Sequence, residues 1–67
     1  MLEITQGWAA IRRLDNQGGE YVDMETYSSV HLLAATKIAE KDERNPDVAR
    51  NHPVVRLAHV QVVEIPD

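Results

Sequence analysis

At 67 residues the chain has room for one domain, 1–67, with a small core, because chains of this size bury only ~60% of the surface their unfolded form exposes. Eleven acidic against seven basic side chains leave a formal net charge of −4, which argues against nucleic acid as the partner of a protein that works by neutralising phosphates. The absence of cysteine excludes a disulfide framework and thiolate metal sites.

The opening MLEITQGW has no basic, apolar leader pattern, and no stretch approaches the ~20 apolar residues of a membrane span, so a soluble cytoplasmic protein without a membrane partner is expected. With no Phe, all aromatic area resides in Trp8, Tyr21 and Tyr27, and their placement carries much of the functional reading.

Leu2–Thr5 alternates apolar and polar residues, Gly7 interrupts, and Trp8–Leu14 resumes an extended pattern, predicting a first strand with a bend or bulge at the glycine. Asp15-Asn16-Gln17-Gly18-Gly19 is the strongest turn signal, since Asn and paired Gly supply the positive φ values of a hairpin. Glu20–Tyr27 alternates as a second strand. Placing Asp15 opposite Glu20 pairs Arg12 with Asp23, Ile11 with Met24 and Trp8 with Tyr27, whereas a one-residue slip sets Ile11 against Asp23. In that register Ala9, Ile11, Val22, Met24 and Thr26 share the face expected to lie under a helix. Trp8, Ala10, Arg12, Leu14, Tyr21, Asp23, Glu25 and Tyr27 share the face expected to stay open. The competing reading slips the register by one and puts Trp8 in the core.

Ser28–Arg44 predicts an amphipathic helix: Ser28 or Ser29 serves as cap, Val30, Ala34 and Ile38 form a stripe at i, i+4, i+8, and no Gly or Pro occurs before Pro46. Its last turns, Glu40-Lys41-Asp42-Glu43-Arg44, are all charged and are expected to be solvated, with Glu40–Arg44 as an i,i+4 pair. Asn45-Pro46 ends the helix and starts a short second one reaching Arg50. Val54–Ile65 is rich in β-branched residues and predicts a third strand with a bulge near Ala58-His59 that puts Leu57, Val60 and Val62 on the helix side. The expected fold is α+β, in the order β-β-α-β: a three-stranded antiparallel sheet of order 2-1-3 with one helix on one face, set by a right-handed crossover.

No catalytic, metal or cofactor motif is present. His31, His52 and His59 match no ligand spacing, Ser28 and Ser29 are explained by capping, Gly18-Gly19 lacks a following Lys-Ser/Thr, and Asp23 and Glu25 suit a charged strand edge better than an acid–base pair. The chemistry that remains is recognition. Trp, Tyr and Arg dominate binding hot spots, so Trp8, Arg12, Tyr21, Asp23, Glu25 and Tyr27 are the expected partner-binding residues of a non-enzymatic module without cofactor. The alternatives are a homo-oligomer, such as a homodimer, that pairs the same face with itself, and a nucleic-acid-associated regulator using Arg12, Arg13 and Arg56.

The strand Trp8-Ala9-Ala10-Ile11, Tyr27-Ser28-Ser29 before an Ala-rich helix, and Val60-Gln61-Val62-Val63 together resemble small phage and prophage proteins that bind a host enzyme. The outline is similar to the phage-encoded inhibitors of bacterial RNA polymerase of the T7-like phages, with a longer helix-to-strand connection here. The resemblance implies a phage-derived, non-enzymatic protein that binds or inhibits a larger host protein, such as RNA polymerase or another bacterial enzyme.

Overall fold

The computed structural model describes residues 3–14 and 18–65, so the expectations for Asp15–Gln17 lie outside the described residues. Strand β1 spans Glu3–Arg13, β2 Glu20–Ser28, helix α1 His31–Arg44, α2 Pro46–Asn51 and β3 Val54–Glu64. The sheet order is β2-β1-β3, with β1 antiparallel to both neighbours. The fold is therefore the α+β arrangement expected, with the chain crossing from one edge of the sheet to the other through α1 and α2.

The hairpin closes one step earlier than the side-chain pairing suggests. Leu14 N–H donates to Gly19 O at 2.6 Å, and Gly18 takes φ 91°, the left-handed value that glycine adopts without steric penalty. Ile11 consequently pairs with Val22, Arg12 with Tyr21 and Arg13 with Glu20, a two-residue shift from the expected Ile11–Met24 and Arg12–Asp23. A shift of two preserves which residues share a face, so Arg12 and Asp23, expected directly opposite, become diagonal neighbours on the same face.

Beyond Ala10↔Asp23 the next pair is Trp8↔Ser28, so β2 bulges outward over Met24–Tyr27. Within the bulge the Thr26 hydroxyl accepts from Ala10 N–H at 2.8 Å and donates to Asp23 O at 2.7 Å, replacing the missing ladder contacts. The irregularity against β3 lies where Ile11 pairs with Arg56 and Arg12 with Val54, leaving Val55 as the extra residue. This corrects the bulge expected near Ala58-His59. Pairing is continuous from Glu3 to Ile11, so Gly7 does not break the β1–β3 ladder.

Helix α1 starts later than Ser28 or Ser29. Val30 is its N-cap with no side-chain cap bond, and the Ser28 hydroxyl instead accepts from Val30 N–H at 3.2 Å. Asn45 N–H donates to Lys41 O at the end of α1, and Pro46 opens α2 where its missing N–H costs nothing.

The placement of the helix is the main correction. Even-numbered β1 residues from Ile4 to Arg12 lie on one face and odd-numbered residues from Glu3 to Arg13 on the other. Helix α1 covers the even face: the rings of Trp8 and His31 are 4.7 Å apart, Arg12 donates to Asp42, and Lys41 donates to Asp23. The face of Ala9, Ile11 and Val22, expected to lie under the helix, is the opposite one. Among the described residues the buried hydrophobic ones are Ala9, Ala10, Ile11 and Ala34, and the largest fully buried side chains are Arg12 and Thr26. Charge and hydrogen bonding, more than apolar volume, fill the space beneath the helix.

Candidate interaction face

Arg12 organises the even face. Its guanidinium is 0% exposed and directs Nε to Asp23 Oδ2 at 2.6 Å, Nη2 to Asp42 Oδ1 at 2.8 Å and Nη1 to His52 O at 3.0 Å. These three acceptors belong to β2, α1 and the residue that follows α2. Lys41 Nζ adds contacts to both Asp23 oxygens at 3.0 and 2.8 Å and approaches Glu25 Oε1 at 3.5 Å. Burial by itself would raise the Asp23 pKa, but the hydrogen bonds and charges of Lys41 and Arg12 outweigh it and hold the carboxyl below its ordinary value. Burial likewise disfavours the charged forms of Arg12 and Lys41, and the carboxylates around them outweigh that, raising both. Among the described residues no buried side-chain nitrogen or oxygen lacks a hydrogen-bond partner. This is a closed structural network that staples helix to sheet.

The partner-binding residues expected from the sequence are thus mostly spoken for. Trp8 stands between His31 and His59, with ring centroids at 4.7 and 5.1 Å in edge-on geometry. Tyr21 packs edge-on against His52. Arg12 and Asp23 are buried, and Glu25 is exposed at the rim of the network. Tyr27 parts from the others: its ring lies against Gly7, where an added Cβ would stand 2.7 Å from Cε2. The structure brings Trp8, Arg12, Tyr21 and Asp23 to one face, as expected, but places that face under the helices. Of the arginines considered for nucleic acid, Arg12 is enclosed and Arg56 is paired with Glu20 at 3.1 Å.

The odd face lies under no helix, but its centre is buried: the Tyr27 ring stands over Gly7, Ala9 is fully buried and Ile11 is 7% exposed. Its cross-strand neighbours are Thr5–Val62, Gly7–Val60, Ala9–Ala58, Ile11–Arg56 and Ile11–Val22, a mostly apolar strip that is buried on β1 at Gly7, Ala9 and Ile11 and reaches solvent at its β2 and β3 flanks. Val22 is 42% exposed, and Ala58, Val60 and Val62 are half-buried. The Arg56–Glu20 pair spans β1 beside Ile11, which is buried. The ends of the strip differ in charge: Arg13, Arg56 and Glu20 stand at one end, Glu3 directly opposite Glu64 at the other. Like charges facing across a ladder are unfavourable when nothing else compensates them. A sequence signal for this face existed in the alternation of Ile11 with Val22 and of Ala58, Val60 and Val62; its apolar character is what made it look like the core.

Among the described residues no group of His, Asp and Glu is placed to hold a metal ion, and no helix is long and apolar enough to cross a membrane. Compared with family models, curated proteins and solved structures, the chain gives no match.

Proposed function

We propose that this protein is a small non-enzymatic interaction module that binds a protein surface through the odd face of its sheet. The observation that carries the reading is the division of labour between the two faces. The even face is closed by the Arg12 network, while the odd face, under no helix, presents exposed Val22 and half-buried Tyr27, Ala58, Val60 and Val62 between charged ends, an apolar centre with a polar edge. The resemblance to phage-encoded inhibitors supports a surface on a larger bacterial enzyme, such as RNA polymerase, as the class of target.

A second reading rests on the start of α1, where Val30, Leu32 and Leu33 are exposed, Leu32 by 73%. Capture from a bacterial lysate with immobilised protein decides between them when paired variants are used. Ala58→Asp/Val60→Asp is expected to lose the captured set and Leu32→Asp/Leu33→Asp to keep it, with far-UV circular dichroism unchanged in both. The reverse pattern moves the site to the helix.

A further inference from the structure

We infer that the outer edge of β3 pairs antiparallel with the same edge of a second copy of this chain, about a two-fold axis beside Val60 and perpendicular to the sheet. Two three-stranded sheets then join into one of six. The site is the rim of the sheet and not its odd face, so it stands apart from the binding role proposed above. The first observation is the contrast between the two edges. In the order β2-β1-β3 each outer strand bonds β1 on one side only, and alternate backbone N–H and C=O groups of its other side face outward. On β2 that edge is interrupted. The strand bulges over Met24–Tyr27, and side chains meet its backbone groups: Lys37 Nζ donates to Tyr27 O at 2.8 Å, Glu25 N–H donates to Asp23 Oδ1 at 3.1 Å, and the Thr26 hydroxyl donates to Asp23 O at 2.7 Å. Helix α1 packs on β2 and β1. By contrast, β3 pairs regularly with β1 from Leu57 to Glu64, contains no proline or lysine, and from Leu57 to Val63 has no carboxylate or arginine. A long, uncharged, β-branched edge of this kind is a template for another strand.

The second observation identifies that strand, because β3 complements its own reverse. With Val60 opposite Val60 of the second copy, Leu57 meets Val63, Ala58 meets Val62, His59 meets Gln61 and Arg56 meets Glu64, each pairing made twice. Both members of every pair lie on the same face of the joined sheet. Moving the axis to His59 sets Leu57 against Gln61, and moving it to Gln61 sets Ala58 against Glu64; either separates Arg56 from Glu64. Charge within one chain favours the same register. Glu64 stands directly opposite Glu3, an unfavourable pairing of like charges, and Arg56 of the second copy brings each Glu64 a cation. The Arg56 side chain, at one end of the strand beside Glu20, is 56% exposed and free to turn outward. A two-fold interface must be self-complementary, and the guarded β2 edges stop growth at two copies.

The test moves the charges. Arg56→Glu sets glutamate against Glu64 of the other copy, and Glu64→Lys sets lysine against Arg56. In sedimentation and native mass spectrometry each is expected to dimerise about tenfold more weakly than the wild type, since two cross-strand pairs turn from attraction to repulsion. Arg56→Glu/Glu64→Lys, and an equimolar mixture of the two single variants, are expected to regain wild-type strength. The two positions lie roughly 26 Å apart at the rise of a strand, so the double variant recovers only through contacts between copies, and its recovery shows that the substituted chains fold. Val60→Cys, in a chain without other cysteine, is expected to form an intermolecular disulfide on mild oxidation at least tenfold faster than Val62→Cys, which faces Ala58. A wild type that stays monomeric at millimolar concentration overturns the second copy, as do single variants that dimerise as tightly as the wild type. A double variant no tighter than the singles, or equal crosslinking at the two cysteines, overturns the pairing. Amide exchange in β3 that slows only with a protein captured from a bacterial lysate puts a foreign strand on the edge and overturns the second copy.

Discussion

Arg12 is the residue on which the fold turns, since its three hydrogen bonds reach β2, α1 and the end of α2 from a fully buried position. Removing one member of a buried ion pair strands the other, at a cost of about 3–5 kcal/mol, whereas replacing both with apolar groups of similar volume is much milder. Arg12→Ala and Asp23→Ala are each expected to unfold the protein or lower its urea midpoint sharply, and Arg12→Met/Asp23→Leu to lose less than either. An additive double variant would show that the pair does not act as a unit. Arg12→Lys should behave like a deletion, because one ammonium cannot satisfy three diverging acceptors.

The depressed Asp23 pKa has a sign that can be worked through. A carboxyl titrating below its ordinary value contributes stability that is complete above that value and disappears as the pH falls through the lowered one. The wild type should therefore lose stability on acidification below about pH 4, the ordinary carboxylate range. Asp23→Asn, already deprived of that contribution, should show a flatter acid limb in thermal melts. Lys41 gives the mirror image: raised above its ordinary value, its contribution is present below that value and lost as the pH climbs through the raised one.

At the scale of elements, Gly7 marks the tightest contact between β1 and β2. A Cβ there would stand 2.5 Å from Ser28 O and 2.7 Å from the Tyr27 ring, and the backbone oxygen cannot swing aside as a side chain can. Gly7→Ala is expected to cost about 1–3 kcal/mol through overpacking and to displace Tyr27, which urea titration and Tyr chemical shifts would report. A neutral substitution would mean that β2 yields freely at its bulge.

The elements also show how far the sequence could be read. The hairpin, the Pro46 start of α2, the strand order and the sorting of residues into two faces follow from turn chemistry, proline geometry and alternation, all local. Which face the helix covers does not. Crossover handedness selects a side of the sheet but not the phase of its pleat, so hydrophobicity is the remaining guide, and it favours covering Ile11 and Val22. The decisive signal lay in the charged end of α1, read as solvated: Lys41 and Asp42 are the complements of Asp23 and Arg12 on the sheet. The Met24–Tyr27 bulge depends on the Thr26 hydroxyl replacing a backbone partner 16 residues away in sequence, a long-range contact that local pattern does not report.

At the scale of the whole molecule, 39 × 27 × 20 Å, the sheet is sealed on one side by an ion network and left without a helix on the other, where Val22, Tyr27, Ala58, Val60 and Val62 reach solvent. That asymmetry is the root of the proposed binding role. The chain contains no cysteine, so a single introduced thiol reports on one place only. The most direct measurement is the rate at which a thiol reagent modifies Ala58→Cys, on the odd face, free and in complex with the protein it captures from a bacterial lysate, with Leu32→Cys on the exposed side of α1 as reference. The account predicts that Ala58→Cys slows at least tenfold in the complex while Leu32→Cys keeps its rate. Protection of Leu32→Cys with Ala58→Cys unchanged, or rates unchanged by the complex at both positions, would contradict it.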